Sequence, residues 1–170
     1  VKAGHETLLI SFSRLYPALF FPGSSQLDES ACPFRVPCEP LLDSMGPRSW
    51  KRAASRLAGF RPDVVVVQWW HPFFGPSYSG VVRGLNRQMG ARTVFICHNV
   101  MPHEQPSIPG VSLVFRILLK RAFALADGFL VHSAPLSDEV GSFRSDVPVV
   151  QIFHPAFDFY PPSRRAAPSP

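Results

Sequence analysis

Four of the six histidines in this 170-residue chain, His71, His98, His132 and His154, follow the apolar runs VVVVQWW, TVFIC, GFLV and VVQIF. An imidazole can donate to a phosphate or a sugar hydroxyl and changes charge near neutral pH, so histidines gathered at one rim suit an anionic or hydroxyl-rich ligand. The competing reading of each is a half-buried ring bonded to backbone. His98, His103 and Glu104 lie together in HNVMPHE, but this is neither HExxH nor a helical i, i+4 pair, and Pro102 breaks any helix between the two histidines. No Asp-x-Asp is present to hold a divalent cation on a diphosphate, so no metal is expected. GPSYS (Gly75–Ser79) approximates a nucleophile elbow without its last glycine, and Pro72 and Pro76 disrupt the strand–turn–helix such an elbow needs. Cys97, inside an apolar strand, reads as core rather than nucleophile. With neither a P-loop nor GxGxxG, no cofactor is expected.

The elements that would position these histidines follow from the hydrophobic pattern. Glu6–Phe12 reads as a buried strand, Ser13–Pro47 as a long proline-rich irregular segment, and Arg48–Phe60 as a helix with Trp50, Ala53, Ala54, Leu57 and Ala58 on one face. Asp63–Trp70 carries four consecutive valines, a continuous β-branched run that predicts a central parallel strand covered on both faces. Then follow a helix over Ser77–Met89, a strand over Arg92–Cys97, a helix over Val111–Ala126, a strand over Gly128–Val131, a helix over Leu136–Phe143 and a strand over Pro148–Phe153. Such alternation predicts an α/β, doubly wound, mostly parallel Rossmann-like sheet with right-handed crossovers. Ligands bind such sheets outside the carboxyl ends of the strands, where the histidines fall.

Composition narrows the class. Apolar residues make up 46% of the chain against 17% charged, enough for a packed core, and no apolar run approaches the ~20 residues of a membrane span. Three cysteines give no paired disulfide framework, and Val1–His5 show no secretory leader pattern. A net charge of +5 favours anionic partners such as nucleotide phosphates or anionic lipid. Its basic residues are dispersed, so nucleic acid is not an expected partner. The helix over Val111–Ala126 carries Arg116, Lys120 and Arg121 among apolar residues, which fits either a helix on an anionic membrane surface or one packed on the sheet with a basic solvent edge.

Taken together, SRLYPALFFPGSSQLD (Ser13–Asp28), FRPDVVVVQWWHPFFGP (Phe60–Pro76), FICHNVMPHE (Phe95–Glu104), ADGFLVHS (Ala126–Ser133) and HPAFDFY (His154–Tyr160) resemble the N-terminal half of bacterial GT-B glycosyltransferases of the family 4, or glycosyl transferase group 1, type. The resemblance covers nearly the whole chain, and HN-x-x-PHE followed by AD-x-F-hydrophobic-HS is its most specific part. It implies a retaining, metal-independent transfer of a sugar from a nucleotide-sugar donor to a glycan or lipid-linked acceptor, with His98 as the catalytic residue facing the transferred sugar and departing phosphate. Trp69, Trp70, His71, Asn99, His103, Glu104, His132 and Ser133 would bind substrate on the acceptor side. A cytoplasmic location, at most peripheral to the inner membrane face, goes with it. Residues 1–160 would then be a Rossmann-like N-terminal domain lacking its first strand and Gly-rich loop, and 161–170 a linker toward an absent C-terminal domain. Because that second domain supplies most donor affinity in the family, the isolated chain is expected to be inactive. The alternative is a non-catalytic Rossmann-type ligand-binding module.

Overall fold

The computed structural model describes residues 4–17, 36–101 and 110–153. In chain order its elements are β1 (Ile10–Arg14), β2 (Glu39–Asp43), α1 (Pro47–Phe60), β3 (Val64–Trp69), a 3-10 turn (Pro72–Phe74), α2 (Gly75–Asn86), β4 (Arg92–Cys97), α3 (Val111–Phe123), β5 (Gly128–Val131), α4 (Ala134–Phe143) and β6 (Val149–Gln151). Every strand pair among them is parallel, in a two-stranded sheet β1-β2 and a four-stranded sheet β3-β4-β5-β6. This is the α/β Rossmann-like architecture that the alternation predicts.

The order along the four-stranded sheet follows from successive crossovers, each strand handing over to a helix that returns the chain to the next parallel position. In register, Val67 pairs with Phe95 and Phe95 with Phe129, while Trp69 pairs with Cys97 and Cys97 with Val131. These side chains share one face and form the main core with Val82 of α2, Leu119, Ala122 and Phe123 of α3, and Val140 of α4. A smaller core joins Leu42 of β2, Ala53 and Ala54 of α1, and Val81 of α2. Helices α1 and α2 meet closely because α2 offers glycines there. A Cβ on Gly84 would lie 2.8 Å from the Ala54 methyl, and one on Gly80 would lie 2.5 Å from the Trp50 ring.

Three expectations change. The first strand starts later, at Ile10, where the ladder to Glu39 begins. Within the segment read as irregular lies β2, whose EPLLD contains a proline that an edge strand tolerates. Most informative is β3, which among the described residues stands at the end of its sheet rather than at the centre, with Val64 48% and Val66 53% exposed. The valine run is therefore buried in alternation, through Val65, Val67 and Trp69, and is not covered on both faces among the described residues.

Candidate functional site

Three parallel strands of matched register deliver their carboxyl ends to one rim. The ladder extends past β4, His98 donating its backbone N–H to the Trp69 carbonyl at 2.9 Å, and Ile152 donates to Val131 at 2.8 Å. At the opposite end of the sheet Asp127 fixes the register of β4 on β5: its carboxylate accepts the Thr93 N–H at 2.7 Å while its own N–H donates to the Thr93 carbonyl at 2.8 Å. Because Cys97 and Val131 then stand side by side, the residues after them do too. The imidazoles of His98 and His132 lie 5.2 Å apart, tilted by 35°.

Gln68 completes this group. Its side chain emerges one residue before the end of β3, and its Oε1 sits 2.7 Å from His98 Nε2. An amide oxygen only accepts, so in this arrangement Nε2–H donates to Gln68. His98 is exposed, whereas His132 is half-buried with both ring nitrogens shielded from solvent. One ring is thus reached by solvent and the other forms a wall beside it. Asn99 follows His98 directly and is half-buried.

The remaining sequence-predicted residues divide. Trp69 is a correction: it is 0% exposed, packed against Tyr78, Phe95 and Phe123, with its indole N–H directed to the Val100 carbonyl at 3.4 Å, and so lines no acceptor wall. Strand alternation sends its neighbour elsewhere. Trp70 is 40% exposed, stacked on Phe74 at 5.1 Å, and donates Nε1–H to the Tyr78 hydroxyl at 3.3 Å. Burial pushes the Tyr78 phenol up to about 12, against the Trp70 hydrogen bond, which pulls the other way.

His71 caps the 3-10 turn, its Nδ1 accepting the Phe73 N–H at 3.0 Å, and its ring meets Phe115 of α3 at 5.1 Å. Burial lowers its pKa, so the ring is neutral at pH 7 and committed to the turn. Ser133 is likewise engaged as the N-cap of α4, accepting from the Leu136 N–H at 3.4 Å. Both therefore have structural duties at the rim. His103, Glu104 and His154 lie outside the described residues. Cys97 is buried, and burial, followed by the charge of Glu139, raises its thiol to about 12, which removes it as a nucleophile near neutral pH. Among the described residues, no group of three His, Cys, Asp or Glu side chains could hold a metal ion.

Sequence reasoning missed Gln68 and Asp127. The signal for Gln68 was its position as the single polar residue in VVVVQWW, and for Asp127 its place immediately before GFLV.

The family model of Glycosyltransferase Family 4 matches residues 1–159 of the chain. Among curated proteins and among solved structures, nothing matches it.

Proposed function

The chain belongs to Glycosyltransferase Family 4, and we propose that it forms the acceptor-side part of a retaining, metal-independent enzyme that moves a sugar from a nucleotide-sugar donor to a glycan or lipid-linked acceptor. The observation that carries the reading is the exposed His98 ring, set at the carboxyl rim of the sheet, held at Nε2 by Gln68 and walled by His132. With Nε2–H bonded to Gln68, the exposed His98 ring would meet a sugar hydroxyl at the rim. On protonation, Nδ1–H would donate to a phosphate oxygen and stabilise charge developing on the leaving diphosphate. Gln68 suits this duty because a neutral amide orients the ring without fixing its charge as a carboxylate would. Trp70 and Asn99 stand near the same strand ends and would contribute to the acceptor side, as would His103 and Glu104.

Equilibrium binding with a panel of ligands tests the proposal: nucleoside diphosphate sugars, the free diphosphates, a dinucleotide and a short oligonucleotide. Weak binding of nucleoside diphosphate sugars, since most donor affinity in the family is expected from the second domain, but in preference to the dinucleotide and lowered about ten-fold or more by His98→Ala, is the expected outcome, because a hydrogen bond to a charged group contributes roughly 1.5–3 kcal/mol. Preference for the dinucleotide, or an affinity indifferent to His98→Ala, would overturn it in favour of a non-catalytic binding module.

A further inference from the structure

Cations that are scattered along the sequence are gathered on one surface by the pairing of α1 with α2. The two helices meet through Trp50 and Ala54 of α1 against Gly80 and Gly84 of α2. At about 100° per residue, the positions of α1 turned away from the sheets include Arg48, Lys51, Arg52 and Ser55, and those of α2 include Arg83 and Arg87. All six side chains are exposed. Neither helix contains an acidic residue. Glu39 and Asp43, on the strand that leads into α1, are already held by Arg56 and Arg14, each at 2.7 Å, and Asp63 stands beyond α1, just before β3. Among the described residues none of the five cations is in an ion pair. At the C-terminal ends of the two helices an open cavity of about 510 Å³ is lined by Ser55, Ala58, Gly59, Arg61, Gln88 and Met89.

We propose that this face binds an acidic polysaccharide, a chain of sugars that carry carboxylates. Its charge selects a polyanion, and what the face lacks narrows the class. None of the large apolar side chains that stand exposed lies on α1 or α2. A protein interface would need an apolar or aromatic anchor at its centre, and a single-stranded nucleic acid would need aromatic faces for its bases. Among the described residues no helix is long and apolar enough to cross a membrane, and these two carry no exposed large apolar side chain to press into the surface of one. A uronate chain requires neither anchor nor wedge. Its carboxylates meet guanidinium and ammonium groups, and its hydroxyls meet Ser55 and Gln88. The cavity falls within the ~300–1,000 Å³ of small-ligand sites, which gives one sugar residue a seat. Arg48 lies in the first turn of α1 and Arg61 caps its far end, so the track leads about 20 Å away from the carboxyl ends of the strands. It suits the part of a long acceptor remote from the rim; in naming a glycan, the inference rests on the transfer reading.

The test is equilibrium binding of the full 170-residue chain to polygalacturonate, to its methyl ester, in which the carboxylates are blocked, and to neutral dextran. No nucleotide sugar is present, so a failure here leaves the donor-binding result standing, and a failure there leaves this one. Binding should appear with polygalacturonate alone and weaken as salt is raised. Lys51→Gln with Arg52→Gln, and Arg83→Gln with Arg87→Gln, should each lower the affinity about four-fold, and all four together about sixteen-fold, at roughly two-fold per exposed ion contact. Removing the same charge from α3, by Lys120→Gln with Arg121→Gln, should lower it by less than about two-fold, which separates a localised face from net charge. Thermal melts should stay in place, because the substituted side chains are exposed. Equal binding to the methyl ester, no binding to polygalacturonate, or an α3 variant as weak as the other pairs would overturn the proposal. Tighter binding of a DNA duplex or of anionic vesicles, lost in the quadruple variant, would overturn it as well and assign the face to that partner.

Discussion

The helix-facing side of the four-stranded sheet and its carboxyl rim are built by the same strands, and only two residues of β4, Ile96 and Cys97, separate their two chemistries. Phe95 is fully buried among Trp69, Phe123 and Phe129, where any lost volume leaves a void. His98 is exposed, with its Nε2 anchored on Gln68 and its ring beside His132. The contrast recurs on β3, where Gln68 reaches the rim and Trp69 sinks into the core. Packing fixes where the strands end; what emerges from the ends is then free to do chemistry. Stability should therefore depend on the first group and ligand affinity on the second.

Substitutions can break that division. The largest effect on folding is expected from Trp69→Ala, about 3–5 kcal/mol lost in urea unfolding for truncation of a buried aromatic; a loss under about 1 kcal/mol would show Trp69 to be less deeply packed than the division requires. Next comes Gly80→Ala, whose methyl would meet the Trp50 ring, itself pinned by an indole N–H bond to the Asp43 carbonyl at 2.7 Å. Overpacking of this kind costs roughly 1–3 kcal/mol, and an unchanged melt would mean that α1 and α2 separate easily. Ser133→Ala should cost about 1 kcal/mol through loss of the α4 cap, measurable as a reduced urea midpoint.

Smaller still is the pH dependence due to His71. Its folded-state pKa lies below the ordinary value of 6.5, so the unfolded chain binds the proton first as pH falls. The contribution is complete above about pH 6.5 and is lost as pH drops through the folded value, because the stability slope follows the extra protons bound by the unfolded state. His71→Gln should flatten that part of the acid limb in urea melts taken from pH 7 downward, and an identical limb would assign the slope elsewhere. At the bottom of the order is His98→Ala, expected to change stability by no more than about 0.5 kcal/mol, as for an exposed side chain. A larger loss would move His98 from the rim's chemistry into the scaffold.

Much of this plan is legible in the chain. Arg92–Cys97 and Gly128–Val131 are bounded by turn residues and densely apolar, and the strands observed there have the expected limits. Placing His98 and His132 at strand ends follows directly. Their 5.2 Å approach does not, because it depends on the register that Asp127 sets from the far end of the sheet. Gln68 reaches His98 across a strand pair, a contact that only side-chain conformation reveals. Val64 and Val66 mislead for a different reason: a β-branched run has the same composition whether or not something covers its second face. Pro40 hides β2, since proline argues against a central strand but is admissible at an edge. Trp69 and Trp70 read alike as aromatic residues, and only strand alternation assigns the first to the core.

On the proposed function, the His98 ring, oriented by Gln68, would be the ligand-facing group of the rim. Imidazole nitrogen NMR of the chain, titrated with a nucleoside diphosphate sugar, addresses it most directly. Expected are an Nε2–H donor in free His98, a response of the His98 ring when ligand binds, and a shifted tautomer ratio in Gln68→Leu with the fold intact. A His98 resonance that neither moves with ligand nor senses Gln68→Leu would contradict it.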